Sequence, residues 1–176
     1  MTNFKDRIIL AAKLNATLYE EVEADKGAML QAMGVVVLSS IAAGVGSIGA
    51  GGFGGILIGM IASLGGWYIW AYLTYFIGTK ILPEPQTKAE LGELLRTIGF
   101  SSSPGLIRVF GIIPGLGGVV FSVASIWMLV AMVIAVRQAL DYKSTLRAVG
   151  VCAIGWIIQS LILVLLFSVL GGAAAP

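Results

Sequence analysis

Histidine is absent from the 176-residue chain, and cysteine occurs once, as Cys152. Without histidine the chain has no Ser-His or Cys-His nucleophile system, no His-ligated zinc or haem and no histidine proton relay. A single cysteine gives neither an intramolecular disulfide nor a cysteine metal cluster. Walker loops, dinucleotide fingerprints and zinc motifs are also missing. We therefore predict a protein that is not an enzyme, with no catalytic residue, metal or cofactor, although the cytoplasmic acids leave a metal-dependent membrane enzyme open as a third class.

Charged residues are scarce, at 11% of the chain, against about 25% in a soluble domain. They are also clustered, because residues 27–79, 109–136 and 148–176 contain none. A bilayer crossing needs about 20 mainly apolar residues. Too few polar residues remain to coat a soluble core of this size, so the sequence predicts an all-α, polytopic transmembrane helical bundle. No long basic tract occurs, which argues against nucleic acid as a partner.

The uncharged runs predict a membrane domain over residues 27–170 with five spans, followed by a short external tail at 171–176. The spans fall near residues 28–48, 55–79, 97–113, 118–136 and 148–170. A glycine-rich turn at 49–55 separates the first pair, and Ile113-Pro114-Gly115-Leu116-Gly117-Gly118 separates spans 3 and 4. Pro104 removes one backbone hydrogen bond, which neighbouring serines can replace in lipid, so span 3 is predicted to be kinked.

Residues 1–26 predict an amphipathic cytoplasmic or interfacial helix. Apolar residues from Phe4 to Val22 follow the 3.6-residue period, and the charged residues of this segment lie off that stripe. We favour a helix lying in the membrane interface. A cytosolic helix packed on the bundle is the alternative.

The positions of lysine and arginine predict the topology. Every Lys and Arg except Arg108 lies before span 1, between spans 2 and 3, or between spans 4 and 5. The positive-inside rule makes that side cytoplasmic. The N-terminus is therefore predicted inside and the C-terminus outside, which requires an odd number of spans.

Arg108 lies within predicted span 3, whereas all acidic residues lie in cytoplasmic segments. An arginine at the centre of a membrane costs about 2.5–3.5 kcal/mol on insertion scales. Its candidate partners are the carbonyls freed at Pro104, Gln159 or a lipid phosphate. A snorkelling arginine near a helix end and a site for an anion or lipid phosphate both remain open. The candidate functional residues are Arg108, Pro104, Gly99, Ser101 and Gln159.

Glycines spaced by four residues predict close helix packing. Gly51, Gly55 and Gly59 share one helix face, and Gly111 and Gly115 repeat the spacing around the second turn. Such small-xxx-small faces let helices approach each other closely. An oligomer seam or a flexible gate is the alternative interpretation.

Several short patterns resemble the Yip family of small five-span membrane proteins, named for interaction with Ypt/Rab GTPases. They are Leu18-Tyr19-Glu20-Glu21-Val22, Gly99-Phe100-Ser101 with Pro104, Ile113-Pro114-Gly115-Leu116-Gly117, and Trp127 followed by Ala135-Val136-Arg137-Gln138-Ala139-Leu140. The resemblance runs from about Leu18 to Leu163. The long cytosolic N-terminal region of eukaryotic members is missing, so the chain is similar to short bacterial-type members. The resemblance implies the bacterial inner membrane, without a Rab-binding role and without catalytic residues.

Two functions are consistent with the sequence. The leading hypothesis is a non-enzymatic structural or adaptor protein that organises membrane or binds a membrane partner. The alternative is a small oligomeric transporter, channel or lipid-handling protein that uses the broken span 3 and Arg108. Expected partners are membrane lipids, a second copy of the chain or another membrane protein. A cavity reaching Arg108 favours the alternative, whereas a dry bundle with an exposed groove favours the adaptor.

Overall fold

The computed structural model describes residues 2–172, except for the side chains of residues 49–53, 163, 166, 167 and 169–172. Over this range the chain is a bundle of α-helices without strands, which confirms the predicted fold class. The helices are α1 Phe4–Ala12, α2 Ala16–Ala24, α3 Met29–Gly46, α4 Ile48–Phe76, α5 Leu91–Phe100, α6 Gly117–Ala139 and α7 Thr145–Gly172. A π-helix at Ile77–Ile81 extends α4, and a 3₁₀-helix, here called the 3₁₀ segment, covers Ser103–Ile112. Residues 173–176 of the predicted tail lie outside the described range.

Four helices within the described residues are long and apolar enough to cross a membrane. They are Lys26–Gly46, Gly54–Ile81, Gly117–Ala139 and Thr145–Ile162. These helices correspond to predicted spans 1, 2, 4 and 5. The predicted third span, residues 97–113, covers the end of α5 and the 3₁₀ segment, and neither element reaches the length of a spanning helix by itself.

The predicted kink in the third span is confirmed. A helix continuing past Phe100 would have bonded the Phe100 carbonyl to the amide of residue 104, which Pro104 lacks. The Ser103 hydroxyl donates to that carbonyl at 2.7 Å, and the Ser101 hydroxyl donates to the Ile98 carbonyl at 2.7 Å. The break is therefore stable within the bundle because side chains replace the missing backbone hydrogen bonds.

The third segment, comprising α5 and the 3₁₀ segment, runs beside α3 in the same direction. Gly99 lies against Ala32, Gly105 lies against Ser39, and Gly111 lies against Gly46. At 1.5 Å per helical residue, this path follows α3 for about 21 Å. That distance is most of a hydrocarbon layer about 30 Å thick. The broken segment thus accompanies a spanning helix through most of its length.

The turn between the first two spans lies at Ser47, so the turn predicted at residues 49–55 is wrong. α3 ends at Gly46 and α4 begins at Ile48, which leaves the glycine-rich stretch helical. A loop there would expose backbone amides that a bilayer cannot bond, and a helix satisfies them internally even at glycine. The Ser47 hydroxyl closes the end of α3 by donating to the Ala43 carbonyl at 2.9 Å.

The predicted single N-terminal helix is two helices, α1 and α2. The backbone turns at Leu14, which has a φ of 61°. Asn15 then caps α2 by accepting a hydrogen bond from the Leu18 amide at 3.1 Å. An asparagine side chain satisfies a free amide at a helix start, which favours a new helix over a continuous one.

The N-terminal helices are amphipathic, and α1 lies across the third segment from α3 to α6. At one end the Phe4 ring approaches Gly34 of α3. At the other end the Trp127 indole of α6 donates to the Ala12 carbonyl at 2.8 Å. The apolar face of α2 is buried in a core with α3, α5 and α6, formed by Leu18, Tyr19, Val22, Ala32, Val35, Phe100 and Ala135. A helix that crosses the bundle in this way is consistent with the predicted interfacial position and is also packed on the bundle.

Candidate functional site

A cavity of about 620 Å³ lies between α3, α4, α6, α7 and the third segment. Its volume is typical of sites for small molecules, which enclose about 300–1,000 Å³. Its polar lining consists of Arg108, Gln159 and seven serines: Ser39, Ser40, Ser47, Ser63, Ser101, Ser102 and Ser125. Polar residues at membrane depth usually face a bundle interior or a pathway for ions or substrates. The lining therefore marks this cavity as the candidate site.

The cavity is elongated along the bundle axis. Its lining extends from Val36 on α3 to Ser47 just after that helix, and from Gly55 to Trp70 on α4. These stretches correspond to a length of about 20 Å at 1.5 Å per residue. Because α3 and α4 are antiparallel neighbours, Ser47 and Gly55 belong to one end. Arg108 lies at that end, since its carbonyl oxygen abuts Gly46.

Two tryptophans close the opposite end of the cavity. The Trp67 indole donates to the Leu95 carbonyl at 3.0 Å. Trp70 is 8% exposed, lies against Gly155, and has an indole nitrogen without a hydrogen-bond partner among the described residues. Beyond Trp70 lies a dense apolar core with Ala71, Ile77, Leu94, Val136, Leu140 and Val151. The cavity therefore ends inside the bundle on this side.

The guanidinium of Arg108 has no hydrogen bond or ion pair with any residue that the structure describes. Its Nε atom is buried and unpartnered, and its Cζ atom lies 5.7 Å from the centroid of the Phe121 ring. A cation over an aromatic face gains about 0.5–2 kcal/mol. That contact leaves the buried Nε–H donor unsatisfied, which is costly for a charged group. The positively charged guanidinium of Arg108 is therefore available to bind an anion.

The structure brings together three of the five predicted functional residues. Arg108, Ser101 and Gln159 line the same cavity, although Gln159 does not bond to Arg108. Gly99 and Pro104 lie outside the lining, because Gly99 packs on Ala32 and Pro104 begins the 3₁₀ segment. The carbonyl freed at Pro104 bonds Ser103 and is not an acceptor for Arg108.

Sequence reasoning missed most of the serine lining. The sequence places four of these serines within long apolar stretches: Ser39, Ser40, Ser63 and Ser125. An isolated serine in such a stretch does not by itself indicate a functional site. Ser125 and Ser47 donate to carbonyls of their own helices at 2.8 and 2.9 Å, as serines in spanning helices commonly do. Only the packing of helices remote in sequence shows that these hydroxyls share one cavity.

The predicted packing glycines have different roles. A Cβ atom added at Gly55 or Gly59 would meet no described atom within 4 Å, so the close packing predicted there is wrong. Both glycines line the cavity, which separates this stretch of α4 from the helices opposite. Gly111 is in close contact with Gly46 and Phe121, whereas Gly115 has a φ of 82° and serves the turn. The surroundings of Gly51 lie outside the part of the chain whose side chains are described.

A second, charged cleft of about 480 Å³ lies between the end of α2 and the α6–α7 connection. Burial, together with the nearby carboxylates of Asp141, Glu93 and Glu20, raises the pKa of Glu23 from 4.5 to about 7. Arg96 opposes that shift. No group of three or more potential His, Cys, Asp or Glu metal ligands occurs among the described residues. Glu23 therefore keeps its proton to a higher pH than an ordinary glutamate does.

The family model described as the Yip1 domain matches residues 16–171. No curated protein and no solved structure matches the chain. The match confirms the resemblance found in the sequence, and it includes α2, the third segment and every helix that lines the cavity.

Proposed function

We propose that this chain, which belongs to the Yip1 domain family of membrane proteins, is a non-enzymatic lipid-handling protein that holds a lipid phosphate at Arg108. The observation that carries the proposal is the unpartnered guanidinium in the wall of a membrane-embedded cavity. Lipid contact follows from the apolar spanning helices. The adaptor hypothesis favoured by the sequence assigns no role to such a cavity.

Phosphate matches the chemistry of this end of the cavity. A guanidinium binds two oxygens of a phosphate with parallel N–H donors, and such charge-assisted bonds are shorter and stronger than neutral ones. The Ser40 hydroxyl has no partner among the described residues and lines the same cavity. The low local dielectric strengthens an ion pair formed here, and the pair also offsets the cost of leaving the buried Nε atom of Arg108 without a partner.

The proposed orientation places Arg108 near the external surface of a bacterial inner membrane. Two observations support five crossings with the N-terminus inside: the distribution of lysine and arginine, and the parallel course of the third segment beside α3. Arg108 lies at the level of Gly46, where α3 ends. A lipid phosphate bound there belongs to the outer leaflet.

Binding of phosphatidic acid to the purified chain in detergent micelles tests the proposal. Arg108→Gln is expected to weaken binding by at least tenfold, whereas Arg108→Lys keeps part of it because the positive charge remains. Arg147→Gln is the matched control, since Arg147 is exposed and paired with Glu84 outside the cavity.

Two further measurements separate binding from folding and from transport. Thermal unfolding without added lipid shows whether Arg108→Gln is folded. Flux of labelled lipid in proteoliposomes, compared between wild type and Arg108→Gln, shows whether a bound lipid is also moved across the membrane. Equal affinity of wild type and Arg108→Gln for phosphatidic acid contradicts the proposal.

A further inference from the structure

The start of α1 lies level with the middle of α4 along the bundle axis. The Phe4 ring contacts Gly34 of α3, and farther along α3 Gly44 contacts Ile56 of α4. Because α3 and α4 are antiparallel, a step of about ten residues back on α3 corresponds to the same step forward on α4. Gly34, and with it the start of α1, is therefore level with Gly66.

The end of α1 lies at the same level. There the Ala12 carbonyl accepts a hydrogen bond from the Trp127 indole of α6 at 2.8 Å. Helix α6 starts near the α3–α4 turn, and the Leu140 side chain at its end lies against Gly78 of α4, so α4 and α6 run in the same direction. Trp127 precedes that contact by about 20 Å, which makes it level with Gly65. Helix α1 therefore lies across the bundle, roughly perpendicular to its axis.

The exposed sides of α4 and α7 have apolar lengths that match a bilayer. Exposed large apolar side chains extend from Leu57 to Phe76 on α4 and, among the described side chains of α7, from Leu146 to Leu165. Each stretch covers about 28 Å, close to the hydrocarbon layer of about 30 Å. The level of α1, near Gly66, falls about halfway along the stretch on α4. A flat bilayer fitted to α4 would therefore place α1 at its centre.

The outer face of the N-terminal helices carries charge. Lys5 and Asp6 in α1, Lys13 at its end and Glu20 in α2 are exposed. Charged side chains at the centre of a bilayer are costly, and local thinning of the bilayer and water defects are ways in which they are accommodated. A flat hydrocarbon layer around the whole bundle is therefore incompatible with this surface.

On the side that α1 covers, the bundle offers a short apolar path. From Gly34, at the level of α1, to Gly46, at the end of α3, the helix extends for about 18 Å. The layer cannot shift toward that end to gain length, because α4 starts beside the same turn, at Ile48. The two sides of the bundle thus fit layers of different thickness.

We propose that the protein thins the bilayer on one side, where lipid headgroups and water reach α1. The hydrocarbon layer there is about 18 Å thick, against about 28 Å beside α4 and α7. Phe4 and Ile9, which are also exposed, then lie at the boundary between headgroups and acyl chains, as apolar side chains of interfacial helices do. Bilayers adapt to a short apolar surface by such thinning. The inference goes beyond the proposed function and does not depend on Arg108.

Single-cysteine variants in proteoliposomes test the proposal. Cys152→Ala removes the one native thiol. In that background, Lys13→Cys probes the N-terminal helices, and Ile69→Cys is the matched control, because Ile69 is exposed on α4 at nearly the same level. Lys143→Cys, at an exposed position in the α6–α7 connection, marks full access to water. Two properties are measured: the rate of reaction with a membrane-impermeant thiol reagent, and the quenching of a thiol-linked fluorophore by nitroxide lipids.

The two probes at one level are expected to report different surroundings. Lys13→Cys should react within about tenfold of the rate of Lys143→Cys, whereas Ile69→Cys should react at least about a hundredfold more slowly. A nitroxide on the lipid headgroup should quench the fluorophore at position 13 at least about twice as strongly as a nitroxide deep in the acyl chain. The order of the two quenchers should be reversed at position 69.

Three outcomes overturn the proposal. Slow reaction of Lys13→Cys together with quenching by the deep nitroxide places α1 in hydrocarbon. Weak quenching of the position-13 fluorophore by both nitroxides means that protein covers α1, and cross-linking of Lys13→Cys between copies identifies a second copy as the cover. Quenching at position 69 chiefly by the headgroup nitroxide means that the layer is equally thin on both sides. Thermal unfolding of each variant shows that it is folded.

Discussion

The two ends of the bundle hold their arginines in opposite ways: Arg7 is buried, whereas Arg108 is only partly buried. At the end with the N-terminal helices, Arg7 is 2% exposed and bonds to Glu21 and Asp25, each at 2.8 Å, and to Gln31 at 3.0 Å. At the other end, Arg108 has no such partner among the described residues. A buried charge is stable only when its donors are satisfied. Arg7 is satisfied by the fold itself, whereas the partly buried guanidinium of Arg108 is free to bind the lipid phosphate proposed above.

Arg96 follows the pattern of Arg7. It is buried in α5 and donates to the Val22 and Glu23 carbonyls at the end of α2. A cation at a helix C-terminus satisfies free carbonyls and interacts favourably with the helix dipole. Arg7 and Arg96 together attach the N-terminal helices to α3 and α5. At this end of the bundle, the charged side chains therefore stabilise the packing of the helices.

The glycines show the same contrast. A Cβ atom at Gly99 would lie 2.7 Å from the Ala32 Cβ and 3.1 Å from its carbonyl oxygen, so the third segment packs tightly on α3. The glycines of α4 that line the cavity have no described atom within 4 Å of an added Cβ. Glycine permits close contact in the first case and leaves space open in the second.

Removing Arg7 is expected to have the largest effect on stability. Arg7→Leu leaves Glu21 and Asp25 without their cation, and breaking a buried pair costs about 3 kcal/mol. The figure is at the low end of such measurements because both carboxylates are partly exposed. Thermal or chemical unfolding in detergent measures it. Lys5→Leu, at an exposed site on the same helix, is expected to stay within about 0.5 kcal/mol of wild type. Equal losses of stability in Arg7→Leu and Lys5→Leu would show that the ion pairs of Arg7 do not stabilise the fold.

Alanine at the two kinds of glycine is expected to change stability in opposite directions. Gly99→Ala forces α5 away from the Ala32 backbone and is expected to cost about 2 kcal/mol, as overpacking does. Gly59→Ala meets no described atom and is expected to stabilise α4 by about 0.5–1 kcal/mol, because alanine restricts the unfolded chain more than glycine does. Unfolding of the two variants side by side checks the prediction. A loss of stability in Gly59→Ala comparable to that in Gly99→Ala would show that α4 is packed on that face.

The pH dependence of Glu23 is expected to give the smallest effect. Because burial raises its folded pKa from 4.5 to about 7, the folded state keeps a proton that the unfolded state has already lost between these values. The free energy of unfolding should therefore fall as pH rises from about 4.5 to about 7 and then level off. The full pKa shift corresponds to about 3 kcal/mol, but Glu23 is only partly buried and solvent screens its charge, so we expect a fall on the order of 1 kcal/mol. Glu23→Gln removes this slope, whereas Asp6→Asn, at an exposed position, keeps it. An unchanged slope in Glu23→Gln assigns the proton to another group.

Much of the fold could be predicted from the sequence because lipid restricts the options. In lipid, a long uncharged run must form a helix to satisfy its backbone hydrogen bonds, and a proline interrupts such a helix. The all-α bundle and the kink at Pro104 could therefore be predicted from each segment by itself. The boundary at residues 49–55 was wrong because glycine frequency indicates a turn in water, whereas lipid keeps the same residues helical. The break at Leu14 was missed because the period of apolar residues continues across it.

The sequence alone determined that the chain is membrane-embedded, that its charges cluster between long uncharged runs, and that Arg108 stands apart from the other cations. These properties depend on composition and order, and they do not require knowledge of which helices meet. Only the tertiary structure decided that Arg108, Ser101 and Gln159 line one cavity and that Arg7 is paired. It also decided that the glycines of α4 border empty space, whereas those of the third segment pack against α3. Pairing and open space are properties of contacts between segments distant in sequence, and spacing along one helix cannot specify them.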